Sequence, residues 1–278
     1  MTCFMFPGQP LTHDGPLPGD ADFSEIASLA RDRAGLDLSS FTWTGEAHTE
    51  QVGLQVYGVA MSLYRLRRLL ADGVSPAVVG EHSMGIYAAL ATCGSISEGE
   101  ALEMAFRAGE CMERRFQGRE YALGCVIGLT EQPLTAISAN NGVYVANFNT
   151  SRHFLLAGDR ARVETVCGEA TAAGAFSAGV FPCDAPLHTP LMEEIAPGLA
   201  AIFEGYDYRE PGIPLIEHIG QTALTPARIP VFLVDELCRP VYWERTYRAL
   251  RSRGVERFQE VGAGQALTKF NRWIDGDA

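Results

Sequence analysis

Apolar positions along the chain recur in two rhythms. A short run at 3–6 is stopped by Pro7 and Gly8, which predicts a buried strand followed by a loop reaching residue 22. At 52–70, Leu54, Val59, Leu63, Leu66 and Leu70 share one stripe and predict a helix. The run at 75–80 predicts a central strand, residues 81–85 a tight turn, and 86–92 a helix closed by Gly94. Ser97 and Glu100 have capping-box spacing for a further helix to about 116. The texture then changes. Strands at 123–129, 143–148, 154–158 and 179–182 interleave with helices at 133–140 and 161–173, the β-α-β-β-α-β order of a ferredoxin-like unit. Helices at 190–203 and 239–254 and strands at 214–219 and 258–261 complete the reading. The pattern describes an α/β core over 1–120 and 186–278, interrupted by an α+β subdomain over 121–185.

The turn at 81–85 carries the candidate chemistry. A strand, a sharp turn bearing Ser83 and a helix make a nucleophile elbow, which makes the core α/β-hydrolase-like. The hydroxyl stands at the strand's carboxyl end, where the helix aims its N–H groups and dipole. The N–H of Met84 would bind an oxyanion, together with a second N–H from another loop. The same pattern also fits a serine that N-caps a helix. Glu81 stands where the G-x-S-x-G pattern has its first glycine, so the turn must open there or Glu81 must be paired. A serine nucleophile needs a base. His188, in a Pro-rich turn ahead of a helix, is the candidate, although a histidine so placed also suits a surface loop. His82 adjoins Ser83 but points away from it on an elbow.

Composition narrows the classes. The chain has 278 residues, 47% hydrophobic and 20% charged, enough for a sizeable core and unlike a disordered or disulfide-stapled chain. Its formal charge of −12 argues against nucleic acid as a partner. No apolar run reaches membrane-spanning length and no signal sequence opens the chain, so a cytoplasmic protein without a membrane partner is expected. Seven cysteines without a C-x-x-C pair predict reduced thiols rather than disulfides or zinc.

Phe6-Pro7-Gly8-Gln9, Glu81-His82-Ser83-Met84-Gly85-Ile86-Tyr87-Ala88-Ala89-Leu90, Val145-Ala146-Asn147-Phe148-Asn149, Arg239-Pro240-Val241-Tyr242-Trp243 and the stretch from Glu260 to Thr268 occur in that order. Together they resemble the malonyl-CoA:acyl-carrier-protein transacylases and the acyltransferase domains of polyketide synthases, over nearly the whole chain. The resemblance implies Ser83 as the acylated nucleophile and His188 as general base, then acid. It implies Gln9 and Met84 as oxyanion-hole donors. It places Glu236 where a backbone carbonyl orients the imidazole; here the carboxylate is a second way to do so. It also sets Asn147 and Asn149 in the cleft. The implied reaction is ping-pong between acyl-CoA and the phosphopantetheine thiol of an acyl carrier protein, with no metal or organic cofactor.

One departure bears on the substrate. The family's malonyl and methylmalonyl members hold the substrate carboxylate with an arginine, in a position that is Ala108 here. Arg107 is one residue away and so turned about 100° around the helix; a one-residue shift of the alignment would return it to the role. With Leu187 as an apolar wall, an uncharged acyl group is expected. Two alternatives stay open: a hydrolase that strips acyl groups from carrier proteins with the same Ser-His pair, and an inactive carrier-docking module. Arg65, Arg67 and Arg68, then Arg114, Arg115 and Arg119, then Arg245, Arg248, Arg251 and Arg253 are the clusters from which an acidic carrier would choose, and Arg152 is a candidate for CoA phosphates.

Overall fold

A computed structural model describes residues 1–9, 17–40 and 47–276, without the side chains of 47–50. In chain order the elements are β1 (Thr2–Phe6), α1 (Ala21–Ala34), α2 (Ala47–Ala71), β2 (Val78–Glu81), α3 (Gly85–Thr92), α4 (Glu98–Phe116), β3 (Tyr121–Ile127), α5 (Glu131–Asn140), β4 (Tyr144–Thr150), β5 (His153–Asp159), α6 (Arg160–Ala172), β6 (Ser177–Pro182), α7 (Ala196–Phe203), β7 (Leu215–Ile216), α8 (Ile229–Cys238), α9 (Trp243–Ser252), β8 (Arg257–Glu260) and α10 (Ala266–Gly276). The loop expected to reach residue 22 falls partly outside the described residues.

Two sheets organise the chain. The first is parallel, in the order β7-β2-β1-β8. Its strands β1, β2 and β7 are buried on both faces, as helix-covered parallel strands must be, while the edge strand β8 exposes Arg257 and Gln259. Phe4 and Phe6 of β1 enter the large core formed with α1–α4, α7 and α8. Cys3 and Met5 point the other way, toward Trp243, Tyr247 and Leu250 of α9 and Ile274 of α10. The second sheet is antiparallel, in the order β4-β5-β3-β6. One face packs on α5 and α6 through Val126, Phe154, Leu156 and Val163. Leu123, Ala146, Ala157 and Cys183 form a patch that meets Leu187 of the larger lobe. The fold is thus an α/β-hydrolase-like core with a ferredoxin-like subdomain. Val241 joins the lobes: its N–H donates to Ala146 O at 2.9 Å, and its carbonyl accepts from Phe148 N–H at 2.8 Å.

Several boundaries differ from expectation. The helix expected at 190–203 is a 3-10 turn over Pro190–Ile195 followed by α7, because Pro197 has no N–H to continue a single α-helix. The strand expected at 214–219 shortens to Leu215–Ile216, since Glu217 leaves the sheet to bind its own turn. The helix expected from 239 begins at Trp243: Pro240 disfavours helix before it, and Val241 is extended between strand partners. Helices α1, α8 and α10 were not expected. The seven cysteines are free thiols.

Candidate active site

Ser83 sits between the end of β2 and the start of α3 with φ +55°. A non-glycine residue in this left-handed region carries backbone strain that only a well-determined turn sustains. The turn is fixed by His82 N–H to Phe6 O at 3.0 Å, Gly85 N–H to His82 O at 3.1 Å and Ile86 N–H to Ser83 O at 2.9 Å. Among the described residues the N–H of Met84 has no backbone partner. Gly85 lets α3 lie against β1: a Cβ there would stand 2.2 Å from Phe6 O.

His188 comes from the far end of the subdomain and also has φ +60°. Its backbone N–H donates to Leu237 O at 2.8 Å, and Thr189 Oγ1 ties the Pro-rich turn to Pro186 O at 2.6 Å. The imidazole Nε2 lies 2.7 Å from Ser83 Oγ, and Nδ1 lies 2.6 Å from the backbone carbonyl of Glu236. The carbonyl can only accept, so Nδ1 carries the proton, and Nε2 is left to take the one from Ser83. Burial, with His218 nearby, pulls the imidazole down to about 3, which keeps His188 neutral in the fold. Glu236 orients the ring through its carbonyl; its carboxylate is 3.9 Å from Nδ1.

Glu81 is fully buried and paired. One oxygen takes the backbone N–H of His218 at 2.9 Å, and both lie within hydrogen-bond reach of His218 Nδ1, at 2.8 and 2.9 Å. His218 is presented by a turn that Glu217 holds, its carboxylate accepting from the N–H groups of Ile219, Gly220 and Thr222. The ring of His218 stands edge-on to that of His188, centroids 6.2 Å apart. His188, His218 and Glu236 each offer a donor atom within 4.8 Å of the others, but both nitrogens of His188 already hold partners.

The Ser-His pair opens into a cleft of about 290 Å³ between the lobes, lined by Gln9, Gln51, Leu54, His82, Leu123, Asn147, Leu155, Phe181, Cys183 and Leu187 among others. Gln9 and Gln51 bond through their side-chain amides. Asn147 lines the cleft, whereas Asn149 sits behind it, its Oδ1 accepting from His82 Nε2 at 2.9 Å while its Nδ2 donates to His153 Nδ1 at 3.1 Å. His82 therefore braces the subdomain against the elbow. Gln51, Leu155 and Phe181 were not singled out from sequence; nothing in their local pattern separates them from core or surface residues.

Ala108 is 1% exposed in the core and, among the described residues, does not line the cleft. Gly109 and Met112 of the same helix border a smaller apolar cavity that shares Gln51, Cys183 and Leu187 with the cleft. Arg107 turns away, bonding Tyr206 Oη at 3.1 Å and facing Glu103 at 3.7 Å. The arginine clusters are largely engaged. Arg67 bonds Glu25 and Glu98, Arg115 and Arg119 pair with Glu194, Arg248 pairs with Glu244, and Arg253 donates to Gln221 O. Arg152 donates to Gly128 O at 2.9 Å.

Burial also pulls His82 and His153 to about 4 and His218 to about 3. With His188, four imidazoles stay neutral in the fold at pH values where the unfolded chain, titrating near 6.5, has protonated them. The unfolded state then binds more protons, so stability falls as pH drops from about 6.5 toward 4. Burial raises the carboxyls of Glu81 and Glu236, which act in the opposite sense above about pH 4.5 but are two against four. The expected result is a melting temperature that declines steeply between pH 6.5 and 4.5, measured by calorimetry across that range. A flat profile would contradict the buried-neutral assignment.

Comparison with known proteins places this geometry. The family described as the acyl transferase domain matches residues 26–254. The malonyl CoA-acyl carrier protein transacylase of Escherichia coli K12 is 29% identical over 284 residues, covering 98% of this chain and 92% of that protein. The polyketide biosynthesis protein ThaF of Burkholderia thailandensis is 28% identical over 99% of this chain, which spans only 24% of ThaF's length. Among solved structures, a malonyl-transacylase in complex with its type II polyketide acyl-carrier protein superposes with a TM-score of 0.91 at 26% identity, over 99% of this chain and 93% of that one. The malonyl CoA-acyl carrier protein transacylase of Coxiella burnetii gives 0.91 at 27% identity, over 100% and 92%. No helix among the described residues is long and apolar enough to cross a membrane. With the matched region holding the Ser83 turn, the whole antiparallel sheet and His188, the chain belongs to the acyl transferase domain family, as an acyltransferase of the malonyl-transacylase type.

Proposed function

We propose that this enzyme moves an uncharged acyl group from coenzyme A to the phosphopantetheine thiol of an acyl carrier protein, through an ester on Ser83. His188 Nε2 takes the Ser83 proton as Oγ attacks the thioester carbonyl, then returns it to the departing CoA thiolate. The carrier thiol reverses the sequence. The N–H groups of Met84 and Gln9 stabilise the tetrahedral oxyanion, and Asn147 and Leu187 border the bound acyl group. The reading includes the division into 1–120 with 186–278 and 121–185, in support of which β3 begins at Tyr121 and β6 ends at Pro182.

The observation that carries the acyl preference is the cleft lining, which among the described residues includes no lysine or arginine. A malonyl carboxylate left unpaired there would cost about 3–5 kcal/mol, and Arg107 is committed to Tyr206 and Glu103. Transfer is separated from hydrolysis by a chase. Acyl-enzyme formed with acetyl-CoA and freed of CoA is mixed with buffer or with phosphopantetheinylated carrier protein. The expected result is discharge onto the carrier at least about tenfold faster than into water, since a largely apolar site disfavours water as the acceptor. Equal discharge rates would make the chain a hydrolase, and failure to acquire any acyl group would make it a docking module.

A further inference from the structure

We propose that Glu81, His218 and Glu236 together hold one negative charge behind His188 and shift it toward the imidazole when His188 takes the Ser83 proton. The inference rests on Ser83 and His188 being the nucleophile and base, and goes beyond the carbonyl that orients the ring. Three observations lead to it. Two carboxyls and an imidazole are buried together, each carboxyl facing His218 or His188. Both carboxyl oxygens of Glu236 and Nε2 of His218 are buried without a hydrogen-bond partner among the described residues, while one donor atom from each of His218, Glu236 and His188 lies within 4.8 Å of the others. His218 Nδ1 is already committed to Glu81.

Two buried carboxyls set about one neutral imidazole cannot both be ionised in a dry interior, so one of them holds a proton. Burial raises both, and Glu81 adds to the rise at Glu236. Glu81, with the N–H and Nδ1–H of His218 on it, is the better resting place for the charge; Glu236, with no donor, is the acid. Rotation of the Glu236 carboxyl brings its O–H to His218 Nε2. As Ser83 Oγ bonds the acyl carbon and its proton passes to His188 Nε2, Glu236 gives its proton to His218 Nε2, and His218 Nδ1 gives one to Glu81. The charge then stands on Glu236, beside the new imidazolium. When the thiolate leaves with the His188 proton, the two transfers reverse. His188 otherwise stands edge-on to His218 and feels the charge of His82; Glu236 also acts electrostatically on Tyr87 and Cys238, Glu217 acts so on Glu81, and Arg239 is taken by Asp235 at 3.6 Å.

The test follows acetyl transfer to Ser83 by quenched intact mass, with protein held at pH 7 and jumped briefly to values from pH 2 to 9, so that a limb near pH 3 is read before the fold is lost. Glu236→Gln is expected to slow acylation about 10–100-fold and to move the acid limb down by about one unit. Glu236→Asp should restore the limb's position, and adding Glu81→Gln to Glu236→Gln should cost less than the product of the two single effects. A slower variant with an unmoved limb, or effects that multiply, would reduce the three residues to packing and overturn the proposal. Carboxyl-carbon NMR of the unaltered protein supplies a readout free of any folding defect: at pH 7 one of the two carboxyls is protonated and the other ionised. Two of a kind would overturn it. If unaltered Ser83 takes no acyl group, the acyltransferase reading itself has failed, and this proposal falls with it; if Ser83 acylates normally and only the limb stays fixed, the triad alone is wrong.

Discussion

Replacing Ser83 with alanine is expected to abolish acyl-enzyme formation, lowering turnover by at least about 10³-fold with the fold intact. In the proposed mechanism the Ser83 hydroxyl is the attacking group, and His188 Nε2 lies 2.7 Å from it. His188→Ala is expected to cost about as much, because Ser83 without a base is an ordinary alcohol. The two losses should not multiply, since nucleophile and base act as a unit. Ser83→Ala should not lower the melting temperature: a strained left-handed position loses little when its hydroxyl goes. Rate measurements on the two single variants and the double variant check this. A double variant slower by the product of the single effects would separate the residues.

Gly85→Val is expected to be the most damaging substitution for stability, costing more than about 3 kcal/mol. A Cβ at position 85 would meet backbone on every near side: Phe6 O at 2.2 Å, Phe6 C at 2.7 Å and Pro7 O at 2.8 Å. Backbone of a central strand cannot step aside as a side chain does. Relief requires α3 to lift from β1, which would carry Ser83 away from His188. Chemical denaturation of Gly85→Val should show a transition moved to much lower denaturant, together with lost acylation. A variant as stable as the unaltered chain would contradict the close strand–helix approach.

How far these features are readable from sequence depends on how local their causes are. The elbow is legible because strand, turn and helix are contiguous and Gly85 marks the close approach. The subdomain is legible because its strands and helices alternate within one stretch, and the sheet order β4-β5-β3-β6 follows from that topology. The Ser83–His188 bond is not written locally: its partners are 105 residues apart, and only resemblance joins them. The fate of Glu81 is more remote still. Sequence shows that a carboxylate at the elbow needs a partner, but His218 lies 137 residues away and carries no local signal. Helix α8 hides for another reason: its segment IPVFLVDELC is apolar nearly throughout, so a buried helix and a buried strand read alike. Helix α1 buries three alanines beside Phe23 and Ile26, small residues that leave a faint stripe. Arg107 and Ala108 show that order along a helix is legible but aim is not: Ala108 is in the core, and Arg107 reaches Tyr206, 99 residues on.

The central claim is an ester between Ser83 and an uncharged acyl group, and competition for the free enzyme tests it most directly. The protein is mixed with equimolar acetyl-CoA and malonyl-CoA, quenched within one turnover, weighed intact and mapped by peptide fragmentation. The expected result is a single adduct on Ser83 with acetyl exceeding malonyl by roughly 10²–10⁴-fold, the ratio that about 3–5 kcal/mol of unpaired carboxylate implies. A predominantly malonyl adduct, or an adduct on any other residue, would contradict it.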